Sequence, residues 1–116
     1  MKLNELNNTK RVNTMPIGRN EATFKEIQYR VNAEGDVTGA FVHTKEFRPV
    51  FIPIFDDQNY QLDLLIDQLG EVATYSAEEI NKHSGKPIIV WRYLREEYTN
   101  TSFNANYKEA EEDNFA

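Results

Sequence analysis

Alternation of apolar and polar residues along the chain predicts a protein built mainly from short β-strands. Residues 23–31 alternate between apolar and polar side chains, which is the period of a half-buried strand. Residues 32–36 have the Asn, Gly and Asp content of a tight turn, and residues 37–46 carry apolar groups on both sides of the next strand. This pattern predicts a β-hairpin.

Three later segments predict further strands, at residues 50–55, 87–95 and 101–107. The first of them contains Pro53, which indicates an edge strand or a bulge because proline cannot donate a ladder hydrogen bond. In the last, Phe103 and Tyr107 are expected to lie on one side of the strand.

Helical signals separate the third strand from the fourth. Residues 60–69 place Leu and Ile at helical spacing before Gly70, which predicts a helix. We expect Asp56 or Asp57 to cap its N-terminus, with a metal site or acid–base dyad as the alternative. A capping box that begins at Ser76 predicts a second, shorter helix.

The predicted strand at residues 87–95 combines aromatic rings with positive charge. One side carries Trp91, Tyr93 and Arg95, and the other carries Ile88, Val90 and Leu94 together with Arg92. Aromatic rings beside a guanidinium are suited to stacking on unpaired bases and holding phosphates. The alternative is that both sides of this strand are buried in the core.

Charge is segregated along the chain, although the net charge is -6. Residues 1–48 hold eight Lys or Arg against six acids, and residues 82–108 hold five against two. Residues 49–81 hold seven acids and no base, and residues 109–116 hold four acids. Such a distribution allows a cationic surface on an acidic protein, and the alternative is a set of solvated faces without a partner.

Composition indicates one globular domain of 116 residues with 40% hydrophobic residues. We divide it into a basic N-terminal arm (residues 1–20, with Lys10, Arg11 and Arg19), a domain (21–108) and an acidic tail (109–116). The chain has no cysteine, no apolar run long enough for a membrane span and no signal peptide, so we expect a cytoplasmic protein.

The sequence contains no recognisable catalytic or metal-binding motif. His43 and His83 stand far apart without ligand-spaced neighbours, and the glycines do not form a phosphate-binding loop. Ser84, next to His83, does not lie in a recognisable nucleophile elbow. We therefore expect no enzymatic activity, no metal and no cofactor.

The predicted order is strand, strand, strand, helix, strand, strand. This order is typical of a five-stranded Greek-key barrel of the oligonucleotide/oligosaccharide-binding kind, with a helix between strands 3 and 4. Such barrels bind single-stranded nucleic acid across a sheet face by base stacking and phosphate contacts.

Three segments also make the chain similar to a known family. They are the run at residues 50–56, the segment 87–95 with Trp91, and the acidic ending at residues 109–115. Over its whole length the chain resembles the small single-stranded DNA-binding proteins of lactococcal phages. The resemblance implies an oligonucleotide-binding barrel, non-specific binding of single-stranded DNA in phage replication and recombination in the host cell, and a homodimer. It also implies contacts of the acidic tail with replication or recombination proteins.

We predict a DNA-binding face formed by residues 23–31, 37–46 and 87–95. The stacking candidates are Trp91 and Tyr93, followed by Tyr29 and Phe41. The phosphate-binding candidates are Lys25, Arg30, Lys45, Arg48 and Arg95, with Arg92 expected at a barrel rim.

Two other functions stay open at this point. The same barrel would serve as a protein-interaction module or adaptor if Trp91 and Phe103 formed a protein-binding hot spot. It would be a structural or assembly protein if its aromatic residues were all core.

Overall fold

Five antiparallel strands and three helices make up the described part of the chain, residues 1–8, 13–56 and 58–107 of this computed structural model. In chain order they are α1 (Leu3–Asn8), β1 (Gly18–Val31), β2 (Val37–Thr44), β3 (Val50–Pro53), α2 (Tyr60–Leu69), α3 (Ala77–Asn81), β4 (Pro87–Arg95) and β5 (Tyr98–Ser102). The strands form one sheet in the order β3-β2-β1-β4-β5. In these ranges, no helix has the length and apolarity needed to cross a membrane.

β1 is the central strand and pairs with a different neighbour through each half. Its first six residues pair with β4, and the rest pair with β2. A register shift between Phe24 and Glu26 marks the change, and such a bulge bends a strand and increases its twist.

Beside the bulge, the Thr23 N–H donates to Glu46 Oε1 at 2.7 Å. Burial raises the pKa of Glu46, but hydrogen bonds with Thr23 and with its own backbone, together with the charge of Lys45, hold the pKa below its ordinary value.

The core lies between the inner face of the sheet and the two helices that precede β4. On α2, a single apolar stripe of Leu62, Leu65 and Leu69 is fully buried, as expected for helical spacing. α3 contributes Ile80, and the strands contribute most of the other buried aliphatic residues, among them Ile27, Ala40, Val42, Ile52, Ile88 and Val90. Burying one such Leu, Ile or Val side chain stabilises the fold by roughly 1.5–3 kcal/mol.

Gln68 joins α2 to β4 where the pairing with β5 has ended. Its side-chain oxygen accepts from the Ile89 N–H at 2.7 Å, and its nitrogen donates to the carbonyls of Ile89 and Phe103 at 2.8 and 2.7 Å. The side chain thus satisfies backbone groups that a neighbouring strand would otherwise pair.

The predicted mainly β fold, with helices between the third and fourth strands, is confirmed. The predicted edge position of Pro53 is also confirmed, because β3 is one of the two outer strands. The sheet is not closed into a barrel: its edges β3 and β5 are not joined by a ladder.

The predicted position of the last strand was wrong. β5 starts at Tyr98 because Glu96, with φ of 57°, allows a two-residue turn directly after β4. β5 then ends at Ser102, so Phe103 enters the core while Tyr107 packs against β4 aromatic rings. Phe103 and Tyr107 therefore do not share one side of a strand.

The N-terminal boundary also differs from the prediction. β1 starts at Gly18, and Met15 is buried in the core, so part of the predicted arm belongs to the folded domain. Lys10 and Arg11 lie outside the described residues, as does the tail at 109–116.

The predicted cap of the long helix was wrong. The N-cap of α2 is Asn59, and Asp56 lies three residues before Asn59, while Asp57 is outside the described residues. Gly70 ends α2 as predicted, with φ of 108°. α3 starts after Ser76 as predicted, although that side chain makes no capping hydrogen bond.

Candidate nucleic-acid interface

The outer side of β1, β2 and β3 carries an aromatic–arginine cluster made of Arg30, Phe41 and Phe51. The two ring centroids are 5.2 Å apart, and the Arg30 guanidinium carbon lies 4.6 Å from the centroid of Phe51. This distance is within the range of a cation–π interaction. Arg30 Nε also donates to Thr38 Oγ1 at 3.0 Å, which holds the guanidinium over the ring.

Gly39 makes room for the Phe51 ring. A Cβ atom at Gly39 would lie 2.2 Å from the nearest ring carbon of Phe51, far inside van der Waals contact. Because glycine has no side chain, the ring lies close to the backbone of β2. Phe51 remains 39% exposed, so part of its surface is available to a ligand.

Two adjoining clefts separate the edge strands β3 and β5. The first has a volume of about 310 Å³ and includes Tyr93 in its lining. The second, of about 230 Å³, includes Arg48 and Arg92. Phe51 and Thr101 line both clefts, so the two form one continuous groove, here called the edge groove.

The edge groove has a positive lining. It includes Arg48 and Arg92, and no Asp or Glu is among the described residues that line it. Arg92 donates to the Met15 carbonyl at 2.9 Å and to Thr99 Oγ1 at 3.1 Å. A guanidinium has five N–H donors, so Arg92 is held in place and keeps donors for an anion. The second cleft thus presents two arginines suited to a phosphate group.

Trp91 and Tyr93 share a packing partner in Tyr107. The Tyr93 and Tyr107 rings are stacked at 5.0 Å and 21°, and the Trp91 and Tyr107 centroids are 5.8 Å apart. Trp91 is only partly exposed, and its indole N–H is buried without a hydrogen-bond partner among the described residues. Of the two leading stacking candidates, Tyr93 lines the edge groove, whereas Trp91 does not line it.

The structure brings together four of the predicted site residues and separates the other five. Arg30, Phe41, Arg48 and Tyr93 lie in the aromatic–arginine cluster or the edge groove. Trp91 packs on Tyr107 instead. The remaining four are Tyr29, Lys25, Lys45 and Arg95.

Tyr29 lies on the core side of β1, and its hydroxyl donates to the Tyr75 carbonyl. Burial and the nearby Tyr75 hydroxyl raise the pKa of Tyr29. This position is unsuited to base stacking, so the predicted role of Tyr29 is not supported by its geometry.

The three remaining cationic candidates are exposed at other places. Lys25 lies at the β1 bulge, Lys45 directly after β2, and Arg95 at the end of β4 beside the turn. None of them lines the edge groove. Arg19 of the predicted basic arm forms an exposed ion pair with Glu21 at 3.0 Å.

The sequence did not predict that Phe51 and Arg92 line one groove. The alternation in residues 50–55 indicated that Phe51 and Phe55 face away from Ile52, but it did not say which set was core. Arg92 lies on the opposite side of β4 from Tyr93, so the pattern favoured Arg95 instead. Only the approach of β3 to β5 places Arg92 beside Arg48.

The remaining titratable side chains of the described ranges were examined as possible metal-binding or acid–base groups. No group of three His, Cys, Asp or Glu side chains lies close enough there to hold a metal ion. Tyr75 donates to Asp63 Oδ1 at 2.6 Å, and this hydrogen bond raises the pKa of the Tyr75 phenol. His43 Nε2 lies 3.0 Å from Gln28 Oε1 on the outer face of the sheet. The Tyr75–Asp63 hydrogen bond connects α2 to the segment before α3, and the His43–Gln28 contact connects β2 to β1.

Comparisons with known proteins do not identify the chain. No protein-family model matches it, and no curated protein matches it.

Proposed function

We propose that this protein binds single-stranded DNA without sequence preference, along the aromatic–arginine cluster and the edge groove. One observation carries the proposal: an exposed aromatic ring, Phe51, lines a groove that also contains Arg48 and Arg92 and no described acid. Aromatic rings stack on any base, and arginines hold the phosphate backbone. A groove with both features suits a flexible, anionic, base-bearing strand.

The strand order supports assignment to the oligonucleotide/oligosaccharide-binding fold. In this fold a five-stranded Greek-key barrel is partly open, and ligands bind on the face of strands 2 and 3 between the 1–2 and 4–5 loops. Here Phe41 and Phe51 lie on that face, and the β4–β5 turn follows Arg95. The edge groove lies where the third and fifth strands would meet to close the barrel.

The side chains take distinct roles in this proposal. Phe51 and Tyr93 stack on bases, and Phe41 supports Phe51 from the side. Arg30, Arg48 and Arg92 hold phosphates. Trp91 supports the Tyr93–Tyr107 stack, which replaces its predicted role as the leading stacking residue.

The biological setting follows from the resemblance described above. We propose a role in phage DNA replication and recombination in the host cell, as a homodimer. The acidic tail at residues 109–116 would contact replication or recombination proteins, or compete with DNA for the cationic groove.

A fluorescence anisotropy titration tests the proposal. Labelled oligo(dT), a matched single-stranded RNA and a duplex DNA are titrated with protein at two salt concentrations. Tight, salt-sensitive binding of oligo(dT) over duplex is expected. No binding to any of the three at low salt would overturn the proposal and redirect attention to a protein partner.

A further inference from the structure

A third cleft continues the edge groove past the end of β3. It has a volume of about 160 Å³ and adds Phe55 and Tyr60 to the surface. Ile52, Pro53 and Gln61 line both this cleft and the first cleft of the edge groove, so the surface is continuous. The groove thus extends from the two arginines at one end to two exposed aromatic rings at the other.

A hydrogen bond connects the two short segments that carry Phe55 and Tyr60. The Phe55 N–H donates to Asn59 Oδ1 at 3.0 Å, and Asn59 directly precedes α2, whose first residue is Tyr60. The Ile54 N–H donates to the Thr38 carbonyl at 3.3 Å, which continues the β2–β3 connection beyond the strand. Hydrogen bonds therefore hold Ile54 to β2 and Phe55 to the residue that precedes α2.

The rings are available to a ligand. Phe55 is 59% exposed and Tyr60 is 61% exposed, although both are large apolar side chains next to a lined cleft. At the junction with the first cleft, Gln61 Oε1 accepts from the Phe103 N–H at 2.7 Å, so its side chain is fixed.

The charge around this cleft differs from that of the arginine end. No Lys or Arg is among its described lining residues, and the acidic Asp56 follows Phe55. A phosphate would be unfavourable here, whereas the flat, uncharged face of a base would stack on an exposed ring.

We infer that Phe55 and Tyr60 form an additional base-binding subsite, which takes nucleotides of the strand held at Arg48 and Arg92. This inference rests on the proposed function and defines how far the bound strand extends. Phe55 lies four residues after Phe51, and an extended chain rises about 3.3 Å per residue, so the Cα atoms of these two residues are at most about 13 Å apart. At about 3.4 Å per stacked nucleotide, this span corresponds to about four nucleotides.

The test measures affinity for oligo(dT) as the length increases one nucleotide at a time. The wild type is compared with Phe55→Ala, Tyr60→Ala and the double variant. Tyr75→Ala is the matched control, because Tyr75 is 51% exposed and lines a separate cleft with Asp63. Thermal unfolding of each variant shows whether it is folded.

For the wild type, affinity is expected to rise with length and then level off. In the double variant it should level off one to four nucleotides earlier, and affinity for long oligonucleotides should fall roughly 5- to 100-fold. Short oligonucleotides and the Tyr75→Ala control should show little change. A photoreactive 5-iodouracil in the oligonucleotide should cross-link to Phe55 or Tyr60.

Two results would overturn the inference while leaving the proposed function intact. One is a double variant with the same length dependence as the wild type. The other is an equal loss of affinity at every length, which indicates a general effect on the fold. If the wild type binds no oligonucleotide of any length, the proposed function fails and the inference fails with it.

Discussion

Replacing Arg48 and Arg92 with glutamine is expected to make DNA binding much less sensitive to salt. Both arginines line the same cleft, and no described acid lines it with them. Each phosphate that a protein neutralises on a single strand contributes about 0.7 to the slope of log affinity against log salt. If Arg30, Arg48 and Arg92 each neutralise one phosphate, the wild type has a slope of roughly 2 from this site.

The expected numbers follow directly from these slopes. When salt rises fourfold, the affinity of the wild type for oligo(dT) should fall about 20-fold. With Arg30 alone, the double variant should have a slope of about 0.7, and its affinity should fall only about threefold. Anisotropy titrations at several salt concentrations measure both slopes.

Two further variants separate charge from structure. Arg92 also donates to Met15 and Thr99, so its loss removes hydrogen bonds as well as charge. Arg92→Lys keeps the charge, and its slope should stay close to that of the wild type. Lys82→Gln removes an exposed charge that pairs with Glu79 on α3, outside the groove, and should leave the slope unchanged. A slope in the double variant equal to that of the wild type would refute the assignment of these arginines to phosphates.

Three other predictions test neighbouring parts of the molecule. Gly39→Ala should lower the affinity for DNA about fivefold or more, because the added Cβ displaces the Phe51 ring. Stability should change little, since that ring is partly exposed. An affinity equal to that of the wild type would contradict the role of Phe51. Glu96→Gly should raise the free energy of unfolding by about 0.5–1 kcal/mol in a denaturant titration, since glycine adopts positive φ without strain. A variant less stable than the wild type would show that the turn tolerates glutamate. Removing residues 109–116, which carry four acids, should tighten DNA binding, and unchanged or weaker binding would count against competition by the tail.

Local patterns in the sequence predicted most of the secondary structure. The alternation in residues 87–95 identified β4 and its two sides, and the spacing of apolar residues identified α2 together with its end at Gly70. These predictions succeed because the side of a strand or helix on which a residue lies follows from its spacing along the chain. Pro53 indicated an edge strand or a bulge in the segment that contains Phe51, since proline is excluded from central strands, and β3 is an edge strand.

The site required information that spacing does not contain. Arg48 and Arg92 are far apart in the sequence, and only the folding of β3 and β5 to opposite sides of one groove brings them together. Likewise, Tyr107 was predicted on a strand with Phe103, but the early end of β5 places it against Tyr93.

Spacing along the chain was therefore enough to identify most of the strands and helices and the residues that share one side of each, because both depend on neighbours within a few residues. The tertiary structure decided which faces meet: the bulge in β1, the unpaired edges of the sheet and the position of Tyr107. These features depend on contacts between distant segments, whose distances are set by the packing of the whole core around β1 and α2. The candidate site lies at such contacts, so its residue types were visible in the sequence while their arrangement was not.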